Sequence, residues 1–352
     1  MRSIVLFFLL CGGILFAEVF PTPATDFSPR KYTCHYTLEP MSIDGKLSET
    51  DWQKASWTEN FVDIEGDLKP LPYLNTKVKL LYNDNGIYLA AELKEPHIWA
   101  NLTQRDDVIF RDNDFEIFID PNGDTHEYYE LELNALGTLW DLFILKPYRD
   151  QHSPLNGWDM RDIAYGIDFD GTINDPSDID RSWTIEMFLP FASLSEMAHM
   201  PIPPKEGDFW RINFSRVQWE TEIKEGKYLK KANTPEHNWV WSPQGLVAMH
   251  YPERWGYLFF SNTDGDIRVT PEFAESEYLR DLLRQLYYKQ KQYFMDHGHY
   301  AKKLKQLDPQ FKIYKPVYIE LTLETTSQSF LITQKYKSTG AVLHIREDGL
   351  IW

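Results

Sequence analysis

The sequence predicts a mainly β protein, an antiparallel β-sandwich followed by a small C-terminal α+β appendage. Many short segments between residues 77 and 260 alternate apolar and polar side chains with a period of two, which is typical of strands. Turn-forming residues separate these segments, and helical spacing is scarce before residue 262. After residue 270 apolar side chains recur at helical spacing, and three more alternating segments follow.

The composition indicates a folded protein whose ligands are neutral or cationic. Of the 352 residues, 43% are hydrophobic and 15% are aromatic, which is enough for a large packed core. The formal net charge of −17 would repel a phosphate backbone or an anionic membrane, so we expect no nucleic-acid partner. Poly- or oligosaccharides and metal ions remain compatible with this charge.

The N-terminus has the pattern of a secretory signal peptide over residues 1–17. Arg2 precedes an apolar run from Ile4 to Phe16, and Ala17 suits the cleavage position. The run is too short for a transmembrane helix, and no later stretch is apolar enough to be one. Cys34 would be the lone cysteine of the mature chain, so no internal disulfide is expected. We therefore expect a secreted, periplasmic or cell-surface protein.

The elements of the sandwich follow from alternation and turn residues. Residues 18–40 form a lead-in segment with an edge strand near Tyr32–Leu38, and residues 41–262 form the sandwich. A short helical turn ends at Trp52, and residues 220–238 are polar enough to predict a loop. The predicted strands span residues 77–82, 87–93, 114–119, 129–134, 139–145, 163–169, 182–189, 209–219, 239–243 and 255–260.

The appendage spans residues 270–352 and begins with a long helix. Thr270 suits the N-cap and Pro271 the first helical position, and the helical pattern weakens near Gly298 and ends before Asp308. Three short strands are predicted near residues 317–323, 329–334 and 341–345. This unit carries no recognisable chemistry, and it is a candidate docking surface for a partner protein of the cell envelope.

The predicted hairpin at residues 114–134 gathers acidic residues on one side. Glu116, Glu130, Glu132 and Asn134 share one face, which would either bind a ligand or face water. In the turn, Asp120, Asn122 and Asp124 alternate oxygen-bearing side chains. This spacing suits calcium, although it is shorter than a full calcium loop and also suits a simple Asx-rich turn.

Four motifs in a fixed order resemble carbohydrate-binding module family 9 over roughly residues 40–260. They are Ser42-Ile43-Asp44-Gly45 with Trp52; Val78-Lys79-Leu80-Leu81-Tyr82 with Ile87-Tyr88-Leu89; Asn113-Asp114-Phe115-Glu116-Ile117-Phe118-Ile119-Asp120-Pro121; and Trp241-Ser242-Pro243 with Pro252-Glu253-Arg254-Trp255-Gly256. The resemblance implies a β-sandwich related to the DOMON group. It does not extend into the appendage.

The resemblance also implies a sugar site. In the family's xylanase-type modules, two Trp rings hold the reducing end of a sugar while polar side chains contact its hydroxyls. Those ring positions fall on Phe110 and near Met249 in this chain, and the polar positions fall on Glu116 and Asn134. Glu132 stands where the family has an arginine. Since both Trp of the clamp are missing, a substitute stacking surface is expected from another tryptophan: Trp219, Trp239 or Trp241.

These features together favour a secreted, non-catalytic carbohydrate-binding protein, and the family's frequent attachment to glycoside hydrolases implies a part in polysaccharide breakdown. The chain has no Gly-rich phosphate loop, no G-x-S-x-G and no zinc-spaced His/Cys set. The first alternative is an envelope structural or interaction protein that keeps the sandwich without a sugar site. A minor alternative is a haem-binding DOMON-type domain that uses Met249-His250. No cofactor is firmly indicated, and calcium is the one candidate ion.

Overall fold

The computed structural model describes residues 19–151, 153–263, 267, 269–307, 319–337 and 339–352. Three predicted features lie outside these residues: the signal peptide, the end of the long helix before Asp308 and the start of the strand near residue 317. In the described part of the chain the strands are β1 Lys31–Tyr36, β2 Val62–Asp63, β3 Thr76–Tyr82, β4 Gly86–Lys94, β5 Asp114–Asp120, β6 Tyr128–Asn134, β7 Leu139–Ile144, β8 Ala164–Asp170, β9 Ser182–Pro190, β10 Phe209–Gln218, β11 Thr221–Lys224, β12 Lys227–Lys230, β13 His237–Val240, β14 Gly256–Ser261, β15 Ile319–Thr325, β16 Phe330–Tyr336 and β17 Val342–Arg346. The α-helices are α1 Phe191–Leu194, α2 Pro271–His297 and α3 Leu304–Leu307, with 3₁₀ turns at Thr50–Gln53, Gly66–Leu68, Ile109–Arg111, Tyr148–Asp150 and Pro252–Arg254.

The fold is mainly β, as predicted, and one curled mixed sheet builds most of it. Its strand order is β7-β6-β5-β10-β14-β1-β3-β4-β9-β8, and β13 joins β10 to β2. Apolar side chains from distant parts of this order meet in one core, including Ile117 of β5, Phe214 of β10 and Leu89 of β4. The sheet therefore closes over its own apolar face.

Strand β1 lies in the middle of this order, where the sequence predicts an edge. It pairs in parallel with β14 on one side and with β3 on the other, whereas the remaining pairs of the sheet in the described residues are antiparallel. Tyr32 and Cys34 of β1 are buried in the main core. The lead-in segment is thus a central part of the sandwich.

The predicted loop at residues 220–238 contains a hairpin instead. Strands β11 and β12 pair antiparallel across a turn at Glu225-Gly226, where both residues have positive φ. Of these two strands only Tyr228 is buried. A hairpin so exposed has too few apolar positions for alternation to reveal it.

The C-terminal region consists of a long helix and a small sheet, as predicted. The Thr270 hydroxyl accepts a hydrogen bond from the Phe273 N–H at the start of α2, and Gly298 ends the helix with φ of 72°. Strands β15, β16 and β17 pair antiparallel in that order. In the part of the chain that the structure describes, no helix has the length and apolarity needed to cross a membrane.

Buried polar contacts hold α2 against the sandwich. The Tyr288 hydroxyl donates to Glu253 Oε1 at 2.6 Å, and Lys291 Nζ donates to Asp150 Oδ1 at 2.8 Å. Both acceptors belong to 3₁₀ turns of the sandwich. The C-terminal region is therefore fixed to the sandwich by the side of α2 that carries Tyr288 and Lys291.

Candidate ligand-binding face

The polar side of the β5–β6 hairpin carries four carboxylates, Asp114, Glu116, Glu130 and Glu132, which we call the acidic face. Alternation sends the intervening residues of both strands into the main core and these four to the opposite side. Glu132 is the cross-strand partner of Glu116, whose other neighbour is Ser215 on β10. The sequence correctly predicts that Glu116, Glu130 and Glu132 share a face.

The acidic face is buried, which corrects the alternative of a strand face exposed to water. Its four side chains are between 0% and 4% exposed. Burial raises the pKa of Glu116 to about 7, against a smaller opposing effect of the Ser215 hydroxyl. Burial and then the neighbouring carboxylates raise the pKa values of Asp114, Glu130 and Glu132 well above their usual range.

Two of these carboxylates are fixed by backbone amides. The Val217 N–H donates to Asp114 Oδ1 at 3.2 Å, and the Phe110 N–H donates to Glu132 Oε2 at 2.9 Å. Three buried oxygens of the acidic face have no hydrogen-bond partner: Asp114 Oδ2, Glu116 Oε2 and Glu130 Oε2. The face thus combines positioned carboxylates with unused acceptor atoms, which is how a site that accepts hydrogen bonds or binds a cation is built.

An aromatic pair borders the face at the Glu132 end. The Phe110 backbone contacts Glu132, and Phe110 is 38% exposed; its role as a pocket wall stays a prediction. The Trp219 indole N–H donates to the Phe110 carbonyl at 2.9 Å, and the Lys230 ammonium lies 3.7 Å from the Trp219 ring centroid. Trp219, one of the three predicted substitutes for the missing clamp, is therefore next to the acidic face.

Tyr148 and His250 border the opposite end, near Glu130. His250 Nε2 lies 3.9 Å from Glu130 Oε1, and the Tyr148 and His250 ring centroids are 4.1 Å apart. Burial, and then the charges of Glu130 and Glu132, raise the pKa of Tyr148. Burial and the charge of Arg149 lower the pKa of His250 to about 3, so the imidazole is neutral at pH 7 and does not neutralise Glu130.

Met249 and Trp140 lie beside the face as partly buried side chains. Both pack against an apolar cluster that includes Phe118 and Trp255. The Trp255 indole N–H also donates to the Met249 carbonyl at 2.8 Å. Met249 as a pocket wall stays a prediction, and Tyr148 supplies the partly exposed ring at that end.

Asn134 fastens a loop next to the face. Its Nδ2 donates to the Leu102 carbonyl and to Asp112 Oδ2, and its Oδ1 accepts the N–H groups of Leu136 and Thr138. These four bonds use its whole hydrogen-bonding capacity. The predicted contact between Asn134 and a sugar is therefore disfavoured in this geometry.

Trp241 does not form a stacking surface, because it is fully buried in the main core against Phe214. Trp239 is 2% exposed and also contributes to that core. The pattern of these residues favoured core side chains over a substitute stacking surface, and the structure shows the core positions.

The turn at Asp120, Asn122 and Asp124 is held by internal hydrogen bonds. Asp120 accepts the N–H groups of Gly123 and Thr125, and Asp124 accepts the Asn122 amide and the His126 N–H. This is the pattern of an Asx-rich turn. Calcium at this turn remains a prediction from the sequence alone.

Three residues of this face were not found by sequence reasoning: Trp140, Tyr148 and Ser215. Two of them could have been found by pairing the predicted strands. Trp140 is the cross-strand partner of Glu132, and Ser215 is the cross-strand partner of Glu116. Tyr148 lies in a 3₁₀ turn within a segment predicted as loop, and it had no such signal.

Comparison with known proteins links this part of the chain to sugar-binding modules. Residues 43–143 match the family model described as carbohydrate family 9 binding domain-like. No curated protein matches the chain. Among solved structures, a proposed carbohydrate-binding protein from Bacteroides uniformis is 17% identical, with a TM-score of 0.50 over 66% of this chain and 100% of that one. At this identity the likeness concerns the fold.

Two structures of a family 9 carbohydrate-binding module from Caldicellulosiruptor kristjanssonii are also similar. The complex with cellotriose is 13% identical, with a TM-score of 0.43 over 69% of this chain and 100% of that chain. The complex with glucose is 14% identical, with a TM-score of 0.44 over 68% of this chain and 100% of that chain.

Proposed function

The chain carries a carbohydrate-binding module family 9-like domain, and from this premise we propose that its acidic face binds a poly- or oligosaccharide. The observation that carries the proposal is the position of unused buried carboxylate oxygens between two partly exposed aromatic side chains, Phe110 and Tyr148. Sugar hydroxyls would donate to Glu116 and Glu130, while the apolar side of a sugar ring would pack on an aromatic ring.

The two bordering aromatic residues lie beside different carboxylates of the acidic face. Phe110 contacts Glu132, whereas the His250 and Tyr148 pair lies beside Glu130. Glu130 and Glu132 are two residues apart on one strand, which separates their backbone positions by about 7 Å. Phe110 and Tyr148 are therefore our candidates to replace the two-ring clamp that the sequence lacks.

The proposed role is binding without hydrolysis, in an exported protein linked to polysaccharide breakdown. Glycoside cleavage requires two carboxyl groups on opposite sides of the scissile bond. The four carboxylates of the acidic face lie on adjacent strands of one sheet and would lie on the same side of a bound sugar. N-terminal sequencing of the secreted or periplasmic protein would test export, and cleavage after Ala17 is expected.

A calorimetric titration tests the binding proposal. The full chain should be titrated with glucose, cellotriose and a panel of soluble neutral polysaccharides, together with the variants Tyr148→Ala and Phe110→Ala. Loss of one stacking ring should weaken binding by about 5- to 30-fold, corresponding to roughly 1–2 kcal/mol.

Tyr73→Ala is the matched control. Tyr73 is 61% exposed and packs against His237 and Trp239, away from the acidic face, so its removal should leave affinity unchanged. If none of the sugars shows saturable binding, the proposal is refuted. Equal losses of sugar affinity in Tyr148→Ala and Tyr73→Ala would indicate that the sugar does not bind at the acidic face.

A further inference from the structure

The acidic face gathers four buried carboxyl groups with no cationic side chain beside them to balance a negative charge. Among the described residues, no lysine or arginine forms an ion pair with its four carboxylates, and the one nearby imidazole, His250 beside Glu130, is neutral at pH 7. Buried carboxylates are ordinarily paired, protonated or bound to a metal ion, because desolvating an unbalanced charge is costly. The structure supplies no pairing partner here.

Three of the carboxylates have the spacing of a coordination site. One oxygen each from Asp114, Glu116 and Glu132 lie within 4.8 Å of one another. Calcium binds oxygen at 2.3–2.6 Å, so two of its ligand atoms are separated by up to about 5 Å. Mg²⁺ usually keeps several waters and takes only one or two carboxylates, whereas this buried group offers three carboxylates, which suits calcium better.

The backbone holds two of these carboxylates in the orientation that a cation needs. Asp114 and Glu132 each give one oxygen to a backbone N–H, from Val217 and Phe110, so their carboxyl planes are fixed. The other oxygen of Asp114 and one oxygen of Glu116 are buried without a partner. Such outer contacts are the usual way in which a protein orients metal ligands.

The Ser215 hydroxyl is an independent indication of a missing ligand. It is fully buried on β10 opposite Glu116, on the same side of the sheet. It lies near enough to that carboxyl group to lower its pKa, but it makes no hydrogen bond of ordinary geometry. A buried hydroxyl without a partner loses the hydrogen bonds that water would provide. Its oxygen is a suitable additional ligand for a hard cation.

A second acidic group in the described residues shows the contrast. Asp106, Asp141 and Asp159 also have oxygens within 4.8 Å of one another, but two of the three are exposed. Arg105 pairs with Asp141 and with Asp159, so its guanidinium already balances this group. The acidic face has no equivalent of Arg105.

We propose that Asp114, Glu116 and Glu132 bind a divalent cation of the size of calcium, with Ser215 as a further oxygen ligand. The cation would lie between β5, β6 and β10, beneath the surface that Phe110 and Tyr148 border. This site is distinct from the turn at Asp120–Asp124. It does not depend on sugar binding, since the four residues face one another whether or not a sugar lies above them.

Metal titration of the sugar-free protein tests this proposal. The full chain, freed of metal with a chelator, should be titrated calorimetrically with CaCl₂, MgCl₂ and MnCl₂, and its melting temperature should be measured with and without each salt. We expect saturable calcium binding that raises the melting temperature. Glu116→Gln and Glu132→Gln should weaken that binding by at least about tenfold, because each removes a charged ligand.

The melting temperature without metal separates lost binding from lost folding. Replacing a buried, unbalanced carboxylate by an amide should leave the metal-free protein at least as stable as the wild type, so only the increment due to calcium disappears. Glu222→Gln on the exposed strand β11 is the matched charge control, and Asn122→Ala tests the turn. No calcium binding by the wild type would overturn the proposal. Binding that Asn122→Ala abolishes and Glu116→Gln leaves intact would also overturn it, since the ion would then lie at the turn.

Discussion

Arg149 lies in the buried polar network where the sandwich meets α2, and its Nε donates to the Tyr287 hydroxyl of α2 at 3.3 Å. Its removal should therefore weaken the attachment of the C-terminal region. Its Nη2 lies 2.9 Å from Glu253 Oε1, its Nε lies 3.5 Å from Asp150 Oδ2, and its guanidinium stacks 4.2 Å from the Tyr251 ring. Its side chain is 5% exposed and that of Glu253 is 6% exposed. In Arg149→Ala the carboxylate of Glu253 would stay buried without its cation, so we expect a loss of about 3–5 kcal/mol in the free energy of unfolding.

Urea denaturation followed by tryptophan fluorescence at pH 7 measures this loss, and Arg161→Ala is the matched control. Arg161 pairs with Glu196 but is 75% exposed, so its removal should cost no more than about 1 kcal/mol. The double variant Arg149→Met with Glu253→Gln should recover at least half of the loss, because residue 253 no longer carries a buried charge that has lost Arg149. If Arg149→Ala and Arg161→Ala cost the same, the buried network contributes nothing beyond an ordinary surface pair and the reasoning is refuted.

Three further predictions concern the acid sensitivity of Glu253, the close packing of Gly166 and the burial of Cys34. Burial alone would raise the pKa of Glu253, but the charge of Arg149 lowers it to about 2, so this pair should stabilise the fold fully above pH 4.5 and lose about 3 kcal/mol as the pH falls from 4.5 to 2. Acid titration of the free energy of unfolding should show this loss in the wild type and not in the double variant. Gly166→Ala should cost about 1–3 kcal/mol by thermal denaturation, since its Cβ would lie 2.6 Å from the Asp44 carbonyl carbon, whereas Gly157→Ala, with nothing within 4 Å, should be nearly neutral. Cys34 is fully buried and burial raises the pKa of its thiol well above the usual range, so a disulfide reagent should react with the denatured protein and leave the folded protein unmodified.

The membership of the acidic face could be predicted from the sequence because strand alternation is local. A period of two assigns Glu116 and Glu132 to one side of their strands whatever packs around them, and the hairpin turn makes them cross-strand partners. The same argument correctly placed Ile117 in the core. Side-chain direction in a regular strand is thus a property of a few consecutive residues.

The burial of that face could not be predicted, because the residues that cover it come from distant segments. Phe110 precedes β5, Tyr148 follows β7, and His250 precedes β14. The central position of β1 has the same origin: alternation shows that Cys34 is buried, but it does not name the strands on either side. Only the folded chain decides which segments meet.

The strand pair β5–β6 uses similar polar side chains for different purposes along its length. At the turn end, both carboxylate oxygens of Asp120 accept hydrogen bonds from backbone amides. At the other end, both polar atoms of the Asn134 side chain form hydrogen bonds with loop residues. These residues are explained by the local fold. Glu116 and Glu130, between them, are not, since each keeps a buried oxygen without a partner.

A fold that had no use for those carboxylates would be more stable with Thr or Val at the same positions, because burying an unpaired carboxyl group opposes folding whichever way it titrates. A requirement for solubility does not explain them either, since acidic residues improve solubility only where they meet water, as Glu222 does on the exposed strand β11. The unexplained acidity of the face, lying between partly exposed aromatic rings, is therefore best accounted for by ligands: a cation below and a sugar above.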